Sequence, residues 1–161
     1  MKHRLMSEIR KKAAAGLKTG DTFAVVRKFT KEETESFGDI TKDFNPIHYD
    51  RRFTEAKKLN GLICHGLLVA GMITEIGGQI GWLASGMDFR FRKPVYFGDT
   101  ITCTFTITEI NEKGKAKGEA VYRNQDGTVV IEATLKGLLP GLKEKEILKS
   151  LIHDRFKKDV P

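Results

Sequence analysis

Cysteine and proline are scarce in this chain, with two of the first and four of the second among 161 residues. Cys64 and Cys103 make no disulfide framework, and their separation gives no zinc-site spacing. A reducing, cytoplasmic setting is therefore expected. Long apolar runs are missing too, since none reaches the roughly 18 residues that a membrane helix needs. The basic start Met1-Lys2-His3-Arg4 leads into no apolar signal core, so neither a membrane protein nor a secreted one is expected. Internal repeats and low-complexity tracts are absent, which excludes solenoid arrays. What remains has the size of one domain with one core, plus tails.

Acidic residues are the other shortage. Asp and Glu number 21 against 28 Lys and Arg, a net charge of +7. Such an excess permits an anionic partner: nucleic acid, a phosphorylated cofactor or an acidic carrier protein. Much of it is terminal, in Lys2, Arg4, Arg10, Lys11 and Lys12 at one end and Lys143, Lys145, Lys149, Arg155, Lys157 and Lys158 at the other. Solvated faces without a ligand would account for these equally well. No helix-turn-helix or aromatic–basic motif is present, so no nucleic-acid partner is expected.

Residues 1–16 carry a helical pattern in Leu5, Ile9 and the Ala13–Ala15 run. After a Gly20-Asp21 turn, Thr22–Phe29 reads as a strand. Thr30 and Glu33 have the spacing of a capping box, and the helix they open is expected to end at Gly38. Asp50 is placed to cap a further helix through Lys58. Gly61–Trp82 is the longest apolar segment and predicts one buried helix, with Gly66, Ala70, Gly71, Gly77 and Gly78 allowing close approach. Period-two patterns follow: Met87, Phe89 and Phe91; Ile101, Cys103, Phe105 and Ile107; Ala116 to Tyr122; and Val129, Ile131, Ala133 and Leu135. Asn124–Gly127 is a hairpin turn. Leu148, Leu151, Ile152 and Phe156 share one stripe of a helix over 142–158. The order predicts an α+β fold whose four closing strands, mostly hairpin-linked, form a curved antiparallel sheet around the long helix.

Within this frame Asp43-Phe44-Asn45-Pro46-Ile47-His48 places a carboxylate and an imidazole on a segment that cannot be helical throughout. Pro46 fixes its own φ and pushes Asn45 toward an extended conformation. The chain must bend between the two, and a bend can aim both side chains into one site. Asp and His suit proton transfer near neutral pH. A plain turn followed by a surface His satisfies the same pattern.

The blocks taken together resemble the MaoC-like dehydratase family, best known for R-specific enoyl-CoA hydratases. Asp43–His48 matches the family signature. Ile63-Cys64-His65-Gly66-Leu67-Leu68 is similar to its entry into the long helix, and Phe91–Ile101, with Pro94, Val95 and Gly98-Asp99, to its strand-and-turn block. The resemblance covers residues 18–140. It implies a hotdog fold, with 1–17 as an N-terminal extension and 141–161 as an appended helix. It also implies Asp43 and His48 as catalytic residues and Gly66 as donor of a backbone N–H to the thioester oxygen. Thr74 falls where family members often carry a Ser that bonds the catalytic carboxylate. Asn45 is expected to stabilise the Asp–His turn within the substrate site.

The implied reaction is reversible hydration of a trans-2-enoyl thioester to the R-3-hydroxyacyl thioester, on CoA or an acyl carrier protein, with no metal or redox cofactor. A homodimer or larger homo-oligomer is expected. Water must lose a proton as it attacks, a proton must reach the α-carbon, and charge on the thioester oxygen must be stabilised. Asp43 and His48 can share one water, and Gly66 sits near a helix start where an N–H is free. Gly66, Ala70 and Thr74 step by four and would line one side of a helix. His65 reads as a structural helix-entry residue and Cys64 as core. Arg90, Arg92 and Lys93 are candidates for CoA phosphates, while Met87, Phe89 and Phe91 read as packing. Two alternatives remain: a hotdog thioesterase, for which Glu75 would be the base, and a non-catalytic acyl-CoA-binding or interaction module.

Overall fold

A computed structural model describes residues 2–158, with side chains over 8–152. Leu5 and Phe156 of the terminal stripes lie outside the described side chains. Chain order is α1 (Lys2–Ala15), β1 (Thr22–Lys28), α2 (Lys31–Thr41), a 3₁₀ turn (Pro46–His48), α3 (Arg51–Ala56), α4 (Gly66–Ala70), α5 (Met72–Ile80), β2 (Leu83–Phe91), β3 (Thr100–Ile110), β4 (Lys115–Arg123), β5 (Val129–Leu138) and α6 (Leu142–Lys158). The strands form one antiparallel sheet in the order β1-β3-β4-β5-β2.

The sheet wraps α5. On β3 the alternation is clean: Ile101, Cys103, Phe105 and Ile107 are buried against the helix, and Thr102, Thr104 and Thr106 face outward. They meet Ile73, Ile76 and Ile80 of α5 in one apolar cluster. Tyr122 of β4 is fully buried and donates its hydroxyl to the Ala70 carbonyl at 2.7 Å, which ties α4 to the sheet. The terminal helices join the same core through Ile9, Ala13, Ala14 and Leu148. Arg10 donates to the Gly78 and Gln79 carbonyls at the C-terminal end of α5, at 3.1 and 3.4 Å. There its charge also meets the negative end of the helix dipole. Lys12 pairs with the buried Asp21 at 2.8 Å.

Four departures from the sequence reading have local causes. Residues 61–65 are not helical: Ile63 bridges Tyr96 and the Cys64 N–H donates to the Val95 carbonyl. The apolar segment therefore supplies a bridge followed by two helices, which abut at Gly71 and end at Gly81 in the left-handed conformation (φ 76°). The helix capped by Thr30 and Glu33 forms as expected but runs through Gly38 to Thr41, with Lys42 as its left-handed cap. Gly38 is there for space: a Cβ on it would meet the Tyr49 hydroxyl. On β5 a bulge opposite Tyr122/Arg123 turns Val130, not Val129, into the core. Finally, β2 and β3 are not a hairpin. They lie on opposite sides of the sheet, joined by a crossing over 92–99.

That crossing positions the site. It carries Val95 and Tyr96 past the 61–65 segment. The Gly98 N–H donates to the Phe29 carbonyl at 2.8 Å, the Phe29 N–H to the Asp99 carbonyl at 3.0 Å, and Asp99 Oδ2 accepts from the Tyr96 N–H at 2.9 Å. The second and third sequence blocks are thus fastened to each other by backbone pairing, while the first reaches the second through histidine side chains, His48 on the Ile63 carbonyl and His65 on the Asp43 carbonyl.

Candidate active site

The Asp43–His48 bend is built by Asn45. Its Oδ1 accepts from the Ile47 N–H at 3.2 Å, capping the 3₁₀ turn, and its own N–H donates to Asp43 Oδ1 at 3.2 Å. The His48 N–H closes the turn on the Asn45 carbonyl at 3.0 Å. Asn45 therefore holds the bend and is not among the residues lining the cleft.

His48 is buried, and its Nδ1 lies 2.8 Å from the Ile63 carbonyl. A carbonyl only accepts, so Nδ1 carries the proton and Nε2 is a lone pair. Nε2 faces Asp43 Oδ2 at 3.9 Å, too long for a direct hydrogen bond. Burial lowers the His48 pKa below its usual 6.5, more than the nearby Asp43 carboxylate raises it, so the ring is neutral at pH 7. Asp43 itself is exposed to the cleft.

His65 stands behind the pair. It is 1% exposed, its ring stacks on His48 at 3.8 Å between centroids, and Nε2 lies 2.9 Å from the Asp43 carbonyl and 3.7 Å from Asp43 Oδ2. Among the described residues, one Asp43 oxygen and one nitrogen each of His48 and His65 lie within 4.8 Å of one another, a donor set that suits a transition metal. Its hydrogen bonding fits that use poorly, because His65 Nε2 is already engaged as a donor to the Asp43 backbone.

The cleft has a volume of about 780 Å³, and Asp43, His48, His65, Gly66, Phe91 and Lys93 are among its walls. Gly66 is the first residue of α4, where the N–H lacks an intrahelical partner. A Cβ there would come 2.7 Å from the Phe91 ring, so the glycine also admits Phe91. The row Gly66, Ala70, Thr74 forms no channel. Ala70 is buried in the core, and Thr74 is exposed with its hydroxyl donating to the Gly71 carbonyl at 2.7 Å. Within this chain Thr74 lines a separate apolar cavity with Ile73, Trp82 and Phe105.

Lys57, Arg92 and Lys93 stand in the cleft wall, whereas Arg90 does not. Arg92 pairs with Glu132 at 2.7 Å. Glu75 is exposed on α5 and outside the cleft. Cys64 lines the cleft, but burial pushes its thiol up to about 11, so it is no thiolate at neutral pH. Sequence reasoning missed the Ile63 carbonyl, for which no side-chain signal exists. It also missed Phe37, which packs on His65 at 5.1 Å, although Phe37 lies within the helix that the capping box announces.

The chain is similar to several known proteins. The family model described as a MaoC-like domain matches residues 14–129. An (R)-specific enoyl-CoA hydratase of Aeromonas caviae is 29% identical over 104 residues, covering 62% of this chain and 78% of that protein. A mitochondrial 3-hydroxyacyl-acyl-carrier-protein dehydratase of Arabidopsis thaliana is 28% identical over 132 residues, 78% of this chain and 80% of that protein. Among solved structures, an (R)-hydratase from A. caviae involved in PHA biosynthesis superposes with a TM-score of 0.72 at 27% identity, over 78% of this chain and 98% of that one. The sheet wrapped on α5 is the hotdog fold of these hydratases.

Proposed function

The chain belongs to the MaoC-like domain family, and from that premise we propose that it catalyses reversible hydration of a trans-2-enoyl thioester to the R-3-hydroxyacyl thioester. One observation carries the reading: the bare Nε2 of a neutral His48 faces the Asp43 carboxylate across 3.9 Å at the wall of an open cleft. That separation accommodates one water bonded to both. His48 removes a proton from the water as its oxygen attacks the β-carbon. The same proton, relayed through the pair by way of Asp43, completes the α-carbon, so atoms balance without a further reactant. Developing charge on the thioester oxygen is met by the Gly66 N–H.

Relatives named for CoA and for acyl-carrier-protein substrates match about equally well. The cations Lys57, Arg92 and Lys93 in the cleft wall suit the anionic handle of either. Thioester hydrolysis is disfavoured because Glu75, its candidate base, lies outside the cleft. We further propose a homodimer joined at β2. This edge strand pairs on one side only, with β5, and leaves Leu83, Met87 and Phe91 exposed.

The test is crotonyl-CoA turnover followed by loss of enoyl-thioester absorbance, with thiol release measured in parallel. Hydration without thiol release is expected. Thiol release would instead assign a thioesterase, and saturable binding without turnover a binding module.

A further inference from the structure

His65 takes no part in the proton transfers proposed above, yet it contacts both members of the pair. Its place at the N-cap of α4 explains little, because its side chain makes no capping bond there. The ring is turned instead to Asp43, and Nε2 lies 2.9 Å from the Asp43 carbonyl. That carbonyl can only accept, so Nε2 carries the proton and Nδ1 is a lone pair. Among the described residues, Nδ1 is buried and has no hydrogen-bond partner. A residue kept for packing alone would do without such an atom.

The two stacked rings are thus opposite tautomers. His48 is protonated on Nδ1, toward Ile63, and offers an acceptor to Asp43. His65 offers a donor. Phe37 lies against His65 at 5.1 Å, and the edge of Tyr49 at 6.0 Å. The titratable groups facing His65 are therefore Asp43, His48 and Tyr49.

We propose that His65 is a positioning residue for the Asp43–His48 pair: its Nε2–H fixes the Asp43 backbone and its ring face fixes His48, so that carboxylate and lone pair address the same water. This rests on the hydratase reading. The stacked His65 also adds to the lowering of the His48 pKa that burial dominates.

The test uses the full chain, His65→Phe and His65→Gln, with crotonyl-CoA kinetics, circular dichroism and ¹⁵N spectra of histidine-labelled protein. In the wild type the spectra should show His48 in the Nδ1–H form and His65 in the Nε2–H form. His65→Phe keeps the stack and loses the donor. Its kcat should fall about 100-fold, with KM within about twofold, and the acid limb of its pH profile should move to higher pH. His65→Gln returns a donor to Asp43 and should recover about tenfold of that loss. Wild-type kcat and pH profile in folded His65→Phe would overturn the proposal, as would His65 in the Nδ1–H form. If the wild type turns nothing over, the hydratase reading fails, and the ¹⁵N spectra still decide whether the tautomers are arranged as stated. If His65→Phe does not fold, His65→Gln and the wild-type spectra decide.

Discussion

His48 Nε2 and Asp43 Oδ2 face each other at 3.9 Å, while His48 Nδ1–H is anchored on the Ile63 carbonyl at 2.8 Å. The anchor fixes the tautomer, and the tautomer leaves Nε2 with a lone pair, the base of the proposed reaction. Asp43→Asn keeps the shape and removes the charge. His48→Ala removes the proposed base. Each should lower hydration of crotonyl-CoA by about 10²- to 10⁴-fold with an unchanged circular dichroism spectrum. A folded variant of either kind with wild-type kcat/KM would remove that residue from the mechanism.

The pH dependence has a definite sign. Burial lowers the His48 pKa below 6.5, so kcat/KM should hold through neutral pH and fall only as pH drops below that value. In the unfolded chain His48 returns to the ordinary value and binds its proton first. Its contribution to stability is therefore present above pH 6.5 and is lost as pH falls through the lower, folded-state pKa. Urea titrations of wild type and His48→Ala across that range should converge toward the acid end. An acid limb centred above 6.5 would contradict the burial argument.

What the sequence made legible, and what it hid, follow from range. Asp43, Asn45 and His48 sit in one bend whose bonds are local, so their spacing alone announces the turn. The β3 face and the Thr30–Glu33 capping box are equally local and form as read. The Ile63 anchor of His48 is a backbone oxygen from a distant segment, with no side-chain signature. The β2–β3 crossing was hidden because period-two alternation identifies strands without saying which pair. Gly38 misled for a related reason. Glycine after a helical run signals a stop, but here it accommodates a ring from eleven positions downstream.

That accommodation is testable. A Cβ at Gly38 would meet the Tyr49 hydroxyl and lie 3.3 Å from the Asp43 carbonyl. Gly38→Ala should cost about 1–3 kcal/mol despite alanine's better helix propensity, read as a lower urea midpoint. Tyr49→Phe removes the offending oxygen. The double variant should therefore be more stable than Gly38→Ala alone, a positive coupling in a double-mutant cycle. Simple additivity would show that the ring is not what requires the glycine.

Asn45 offers a different separation. Its side chain caps the 3₁₀ turn and does not line the cleft. Asn45→Ala should cost about 0.5–2 kcal/mol, in the range of a lost cap, and lower kcat by loosening the bend, with KM little changed. Asn45→Asp keeps the accepting oxygen and should restore most of the stability. A rise in KM at constant kcat would instead place Asn45 in contact with substrate.

The bare edge of β2 sets the last prediction. Among the described residues the sheet has two unpaired edges, and they differ in kind. β1 is short and ends in Arg27 and Lys28, charges that discourage edge pairing. β2 is longer and leaves Leu83 68%, Met87 42% and Phe91 53% exposed. Phe91 also lines the cleft, so a second copy paired along β2 would lie beside Asp43 and His48. Met87→Lys puts a charge in the middle of that edge without touching the cleft or the Asp43–His48 turn. Light scattering coupled to size-exclusion chromatography should show the wild type at dimer mass and Met87→Lys shifted toward monomer. Crotonyl-CoA activity should fall with the fraction of dimer and recover at high protein concentration. A variant that stays dimeric would move the interface away from β2.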